Sequence, residues 1–189
     1  MHMAHASKVW TVADLARLPD DGLRYEVIDG ELLVTPAPSL DHQEAIARLY
    51  LLLAPYVAEQ RVGHVVFAPA DVEFSARRLV QPDLFVVPLV NGSRPRRFSD
   101  AGRLLLAVEV LSPSTARADR VKKRVVYREE DVGEYWVVDL EARIFERSIA
   151  GGEGMVVAAE RLEWTPAGAA VPFVIDIERY FVDVCNTAT

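Results

Sequence analysis

Two apolar runs, each interrupted by one carboxylate, constrain this chain more than any other feature. The first reads Leu79-Val80-Gln81-Pro82-Asp83-Leu84-Phe85-Val86-Val87, and the second Leu104-Leu105-Leu106-Ala107-Val108-Glu109-Val110-Leu111. Runs of this length and composition read as strands. A lone carboxylate inside such a run is costly to bury unless something pairs with it. Two of them on neighbouring strands point to one shared partner, and a hard divalent cation is the natural candidate. A basic helix carrying Asp119, Lys122 and Lys123 follows the second run. An acid pair with a lysine is the minimum equipment for metal-assisted phosphodiester hydrolysis.

Charge argues first against and then for a nucleic-acid partner. The net charge is -7, which disfavours a polyanion. Residues 94–128, however, hold ten Lys and Arg against Asp100, Glu109 and Asp119, so that segment is +7 and the remainder -14. The basic segment contains the second acidic strand and the helix after it. A solvated helix face beside an arginine-rich loop is the plainer reading of the same charges.

Hydrophobic residues make up 51% and charged residues 26%, which fits one domain with a sizeable core. No apolar run approaches the roughly 20 residues of a membrane span. Met1 to Lys8 has no apolar core of signal-peptide type, and the single cysteine, Cys185, provides neither an internal disulfide nor a zinc cluster. A cytoplasmic location is the default expectation.

Local signals outline the elements. A short helix, Val12 to Arg17, is capped by Thr11. Asp29-Gly30 between Arg24–Ile28 and Glu31–Val34 predicts a tight hairpin, since both turn residues must reach positive φ. Ser39 caps a helix to about Gln60, with Ile46, Leu49, Tyr50, Leu53 and Val57 at helical spacing. Short strands are expected at Val65–Phe67 and Asp71–Phe74. Pro113 stops the second acidic strand, and Ser114 or Thr115 can cap the basic helix, which Gly133 closes. Glu134–Asp139 and Ile144–Arg147 form a second hairpin. Weaker strands at Met155–Ala158 and Phe173–Ile175 precede a last helix, capped by Asp176 and ending near Val184. The order fits a mixed sheet flanked by helices.

Six segments in order carry a resemblance. They are Tyr25-Glu26-Val27-Ile28-Asp29-Gly30-Glu31, Asp41-His42-Gln43, Gln81-Pro82-Asp83, Val108 to Thr115, Asp119 with Lys123 and Tyr127, and Gly133 to Asp139. Together they resemble the Uma-two family of restriction endonucleases, within the PD-(D/E)XK nuclease superfamily. The resemblance covers roughly residues 24–148. It implies an α/β (α+β) restriction-endonuclease-like core with a mixed central β-sheet flanked by helices, Mg²⁺ or Mn²⁺ dependence, DNA as partner, and a homodimer. The expected organisation is a single domain over 1–189, with a nuclease-like core at about 24–148 and a C-terminal extension at about 149–189. One departure matters: the superfamily places a lysine two residues after the second acid, and here that position is Leu111. In proteins resembling this one a lysine on the following helix takes over, and Lys123 matches it.

The implied catalytic set is Asp83, Glu109 and Lys123, with Asp83 and Glu109 on the metal and with Asp119, Gln81 and His42 in support. Asp119 and Lys123 stand four apart and share a helix face, so Asp119 is expected to orient Lys123. Lys122 is the rival lysine. Arg96, Arg97, Arg117, Arg120 and Lys122 are expected to hold nucleic-acid phosphates. His42 alone reads as a structural histidine, and Glu26 and Glu31 as solvated carboxylates beside the hairpin turn. Tyr135 and Trp136 read as core and interface residues rather than a base-stacking platform. The alternative function is a catalytically inactive module that keeps the fold for binding or assembly.

Overall fold

The structure is a computed structural model and describes residues 8–113, 115–152 and 154–185. In chain order the elements are α1 (Val12–Leu15), β1 (Arg24–Ile28), β2 (Glu31–Thr35), α2 (Leu40–Glu59), β3 (Gly63–Phe67), β4 (Val72–Ser75), β5 (Arg78–Val80) and β6 (Leu84–Pro88). Then come α3 (Phe98–Ala101), β7 (Leu106–Val110), a π-helical segment (Ala118–Lys123) running into α4 (Arg124–Glu129), β8 (Glu134–Asp139), β9 (Ile144–Ile149), β10 (Val156–Ala158), β11 (Arg161–Trp164), β12 (Phe173–Asp176) and α5 (Ile177–Cys185).

A six-stranded sheet in the order β10-β9-β8-β7-β6-β3 forms the centre. It is mixed, because β7 and β8 run parallel while the other pairs are antiparallel. The parallel pair needs a crossover, and the π-helical segment with α4 supplies it. Side chains alternate along each strand, so one face carries Leu84, Val86, Leu106, Val108 and Trp136 and the other Phe85, Val87, Ala107, Tyr135 and Val137. The first face packs on α2, α5 and the β11–β12 hairpin. The second packs on α4 and on a smaller antiparallel sheet, β2-β1-β5-β4. Burial on both faces explains why the central strands read as continuous apolar runs.

The hairpin turn has the predicted chemistry: Asp29 and Gly30 sit at φ 52° and 84°. Ser39 Oγ accepts from the His42 amide at 3.3 Å and opens α2.

Three expectations change. The run from Leu79 to Val87 is two strands in two different sheets, because Pro82 lacks the N–H that a central ladder needs. The first helix ends at Leu15, two residues short of the predicted Arg17. The strand β11 has no counterpart in the sequence reading. Beyond residue 148, Trp164, Phe173, Ile175, Tyr180 and Phe181 belong to the main core cluster. The proposed cap Ser114 lies outside the described residues.

Candidate active site

Asp83 immediately precedes β6, and β6 pairs with β7 so that Leu84 faces Val108. Continuing that register by one residue sets Asp83 opposite Glu109, on the face shared with Phe85 and Ala107. The backbone joins the two acids: the Val110 amide donates to Asp83 Oδ2 at 2.9 Å. Arg24 Nη1 donates to Asp83 Oδ1 at 2.8 Å, and His42 Nε2 lies 3.1 Å from Oδ2. Burial pushes the Asp83 carboxyl upward, but His42 and Arg24 outweigh it and hold the group below the usual carboxylate range.

Glu109 is engaged from the helix side. Lys123 Nζ donates to Glu109 Oε1 at 2.9 Å, and Tyr127 Oη donates to the same oxygen at 2.8 Å. Lys123 also lies 3.0 Å from Glu26 Oε1 and 3.4 Å from Asp119 Oδ1. One ammonium therefore faces three carboxylates, all of them buried. Burial raises the Glu109 carboxyl well above its ordinary range, and the neighbouring Asp119, Asp83 and Glu26 add to what the single Lys123 charge cannot offset. Asp119 is raised by burial as well. Lys123 is raised well above its usual value, since its carboxylate partners outweigh the cost of burial.

The π-helical geometry aims these groups. Asp119, Lys123 and Tyr127 are all buried, so they form one inward stripe along the crossover. The buried Tyr135 hydroxyl donates to the Asp119 carbonyl at 3.0 Å and supplies that group with a tertiary partner. Such π-turns recur at functional sites because they re-aim side chains without ending the helix. Lys122 lies off the stripe, half-exposed, and pairs with Glu31 at 2.6 Å.

Several residues fall where the sequence did not place them. Glu26 is buried at Lys123 rather than solvated, and it accepts from the Gln81 amide at 2.8 Å. Arg24 was missed altogether; its two-residue spacing from Glu26 on one strand is the signal, because alternate strand residues share a face. His42, expected in support of the site, is buried against Asp83. Gln81 joins Glu26 through its backbone and Asp71 through its side chain. Among the expected phosphate contacts, Arg96, Arg97 and Arg117 are exposed. Arg120 is instead tied to Asp139 and Glu146, and Lys122 to Glu31.

Beside Asp83 opens a cleft of about 310 Å³, with Arg24, Gln43, Gln81 and Ile46 in its wall. Among the described residues no three His, Cys, Asp or Glu side chains are gathered as a ready-made metal site. The donor chemistry nevertheless suits a hard cation. Glu26, Asp83, Glu109 and Asp119 form one electrostatic cluster whose permanent counter-charges are Arg24 and Lys123. When all four are ionised, the two fixed cations do not balance them. Asp119 Oδ1 is moreover buried with no hydrogen bond, its ion-pair partner Lys123 Nζ standing 3.4 Å away. An all-oxygen donor set with surplus negative charge fits Mg²⁺ or Mn²⁺.

A family model described as "Putative restriction endonuclease" matches residues 12–176. Among solved structures, the chain is similar to a "putative nuclease belonging to DUF820" from Anabaena variabilis. The TM-score is 0.75 at 18% identity, over 92% of this chain and 98% of that one, a likeness of fold. No curated protein matches the chain. Among the described residues no helix is long and apolar enough to cross a membrane.

Proposed function

The chain belongs to the Uma2 family, and from that premise we propose that it is a metal-dependent endonuclease hydrolysing DNA phosphodiester bonds. The observation that carries the reading is the Glu109–Lys123 contact at 2.9 Å, beside an Asp83 carboxylate held by the very next amide of the same strand. Asp83 and Glu109 would hold Mg²⁺ or Mn²⁺, with Glu26 next to them. When bound, such an ion supplies an activated water and a Lewis acid for the phosphoryl oxygens.

The chain's own residues supply the rest. Lys123 stabilises the charge that builds on the phosphoryl oxygens as water attacks phosphorus in line. Asp119 positions Lys123 from one turn away, and Tyr127 fixes the orientation of Glu109. Arg24 and His42 set the charge and rotamer of Asp83, and Gln81 fixes Glu26. Exposed Arg96, Arg97 and Arg117 hold backbone phosphates. A twofold homodimer of single-domain protomers accounts for cutting two antiparallel strands.

A second reading has its own observation. Asp83 and Glu109 already have cationic partners inside the protein, as expected of a nuclease-fold module that binds without cleaving. Plasmid cleavage with Mg²⁺, Mn²⁺ or EDTA, run beside Asp83→Ala, decides between them. Metal-dependent nicking lost in the variant supports the enzyme; DNA retention without nicking in either protein supports the module.

A further inference from the structure

Arginines facing the interior of this acidic chain are mostly neutralised. Arg24 pairs with Asp83, Arg78 with Asp29, and Arg147 with Glu134. The loop before α3 is different. Arg94, Arg96 and Arg97 all line one cavity of about 370 Å³, and among the described residues none of their guanidinium groups is ion-paired. The acid in that wall is Asp71, whose Oδ1 already accepts from Gln81 Nε2 at 2.8 Å. His64 also lines the cavity; burial and the nearby Arg94 push its pKa down, so the ring is neutral at neutral pH.

Three uncompensated guanidiniums on one cavity repel one another, and an anion relieves that repulsion. Their planar forks match phosphate oxygens two at a time. The floor is apolar and aromatic: Val66, Ala70, Phe85, Val87 and Phe98. Such a floor offers nothing to a bare phosphate but suits a base or sugar. The position is equally specific. Phe85 stands two residues after Asp83 on the same face, about 7 Å along the strand. Gln81 spans the gap, bonded to Asp71 in the cavity wall and to Glu26 in the acidic cluster.

We propose that this cavity binds one nucleoside monophosphate unit, with Arg94, Arg96 and Arg97 on the phosphate and Phe98 against the base or sugar. The unit comes either from a free nucleotide or from the 5′-phosphorylated end of a DNA strand. The strand-end source rests on the nuclease reading above, while the free-nucleotide source does not.

Titration calorimetry in EDTA, where no metal-dependent cleavage interferes, tests the site. The probes are dAMP, inorganic phosphate, and two single-stranded DNA oligonucleotides differing only in a 5′-phosphate. The wild type should bind dAMP saturably and inorganic phosphate about tenfold more weakly. The Arg94→Ala/Arg97→Ala double variant, shown folded by circular dichroism, should lose dAMP affinity by about tenfold or more, as expected for removed charge-assisted bonds. A preference for the 5′-phosphorylated oligonucleotide over dAMP identifies the strand end as the source; equal affinity identifies the free nucleotide. The proposal is overturned if dAMP does not bind, if the double variant binds it equally well, or if inorganic phosphate binds as tightly as dAMP. Plasmid cleavage by the wild type in Mg²⁺, set beside its dAMP binding in EDTA, separates the two readings. Absent cleavage with dAMP binding intact overturns only the nuclease reading, and absent dAMP binding with cleavage intact overturns only this one.

Discussion

Lys123 Nζ lies 2.9 Å from Glu109 Oε1, with both side chains buried, although the lysine belongs to the crossover and the glutamate to β7. The strand position where the superfamily pattern puts its lysine holds Leu111. A side chain fourteen residues after Glu109 brings an ammonium to that acid instead.

That geometry separates two adjacent lysines. Lys123→Ala leaves three buried carboxylates without their shared cation, a loss of about 3–5 kcal/mol for a broken buried pair. Lys122→Ala removes a half-exposed pair with Glu31 and should cost about 0–1 kcal/mol. Urea titrations of the two variants measure this. Under the proposed mechanism Lys123→Ala also lowers turnover by about 10²–10³, whereas Lys122→Ala leaves it near wild type. Equal turnover at saturating DNA removes Lys123 from the mechanism.

Metal should stabilise the protein through the acidic cluster. Mg²⁺ or Mn²⁺ at about 100 times its dissociation constant raises stability by about 2.7 kcal/mol. Asp83→Asn should abolish the corresponding rise in Tm while the protein stays folded. An identical response in wild type and variant withdraws Asp83 from the metal site.

The buried carboxylates also set a pH dependence. Glu109 has a folded-state pKa raised above its usual 4.5, chiefly by burial. The folded state therefore binds more protons than the unfolded state above that pH, so this contribution to stability is full below about 4.5 and is lost as pH rises through the folded value. Asp83 is shifted the other way, and its contribution is lost as pH falls below its ordinary 3.8 toward the folded value. Glu109→Gln, an uncharged isostere, should flatten the decline on the alkaline side of 4.5. Denaturant midpoints between pH 4 and 8 read this directly; parallel curves for the two proteins count against a raised Glu109.

Tyr135 should act through helix geometry. Tyr135→Phe removes a side-chain donor from the buried Asp119 carbonyl and should cost about 0.5–1.5 kcal/mol. If the hydroxyl also aims Lys123, cleavage falls more than the stability loss explains, and Mg²⁺ rescues Tm less than in wild type. Unchanged stability would falsify the role given to this hydrogen bond.

The sequence by itself determined what depends on near neighbours. Apolar runs marked the buried strands, Asp29-Gly30 the hairpin turn, Ser39 the start of α2, and the four-residue spacing put Asp119, Lys123 and Tyr127 on one stripe. These follow from backbone sterics and side-chain periodicity, which act within a few residues. Tertiary structure decided the rest. It split the Leu79–Val87 run between two sheets and drew the C-terminal residues into the core. It brought Arg24, Glu26 and His42 to the acid pair from elements that no local pattern connects to β6 or β7. It also fixed the π-helical turn, which is held from a neighbouring strand by Tyr135. A charge is tolerated in the interior only where a partner meets it, and that partner arrives from a distant part of the chain when the layers close.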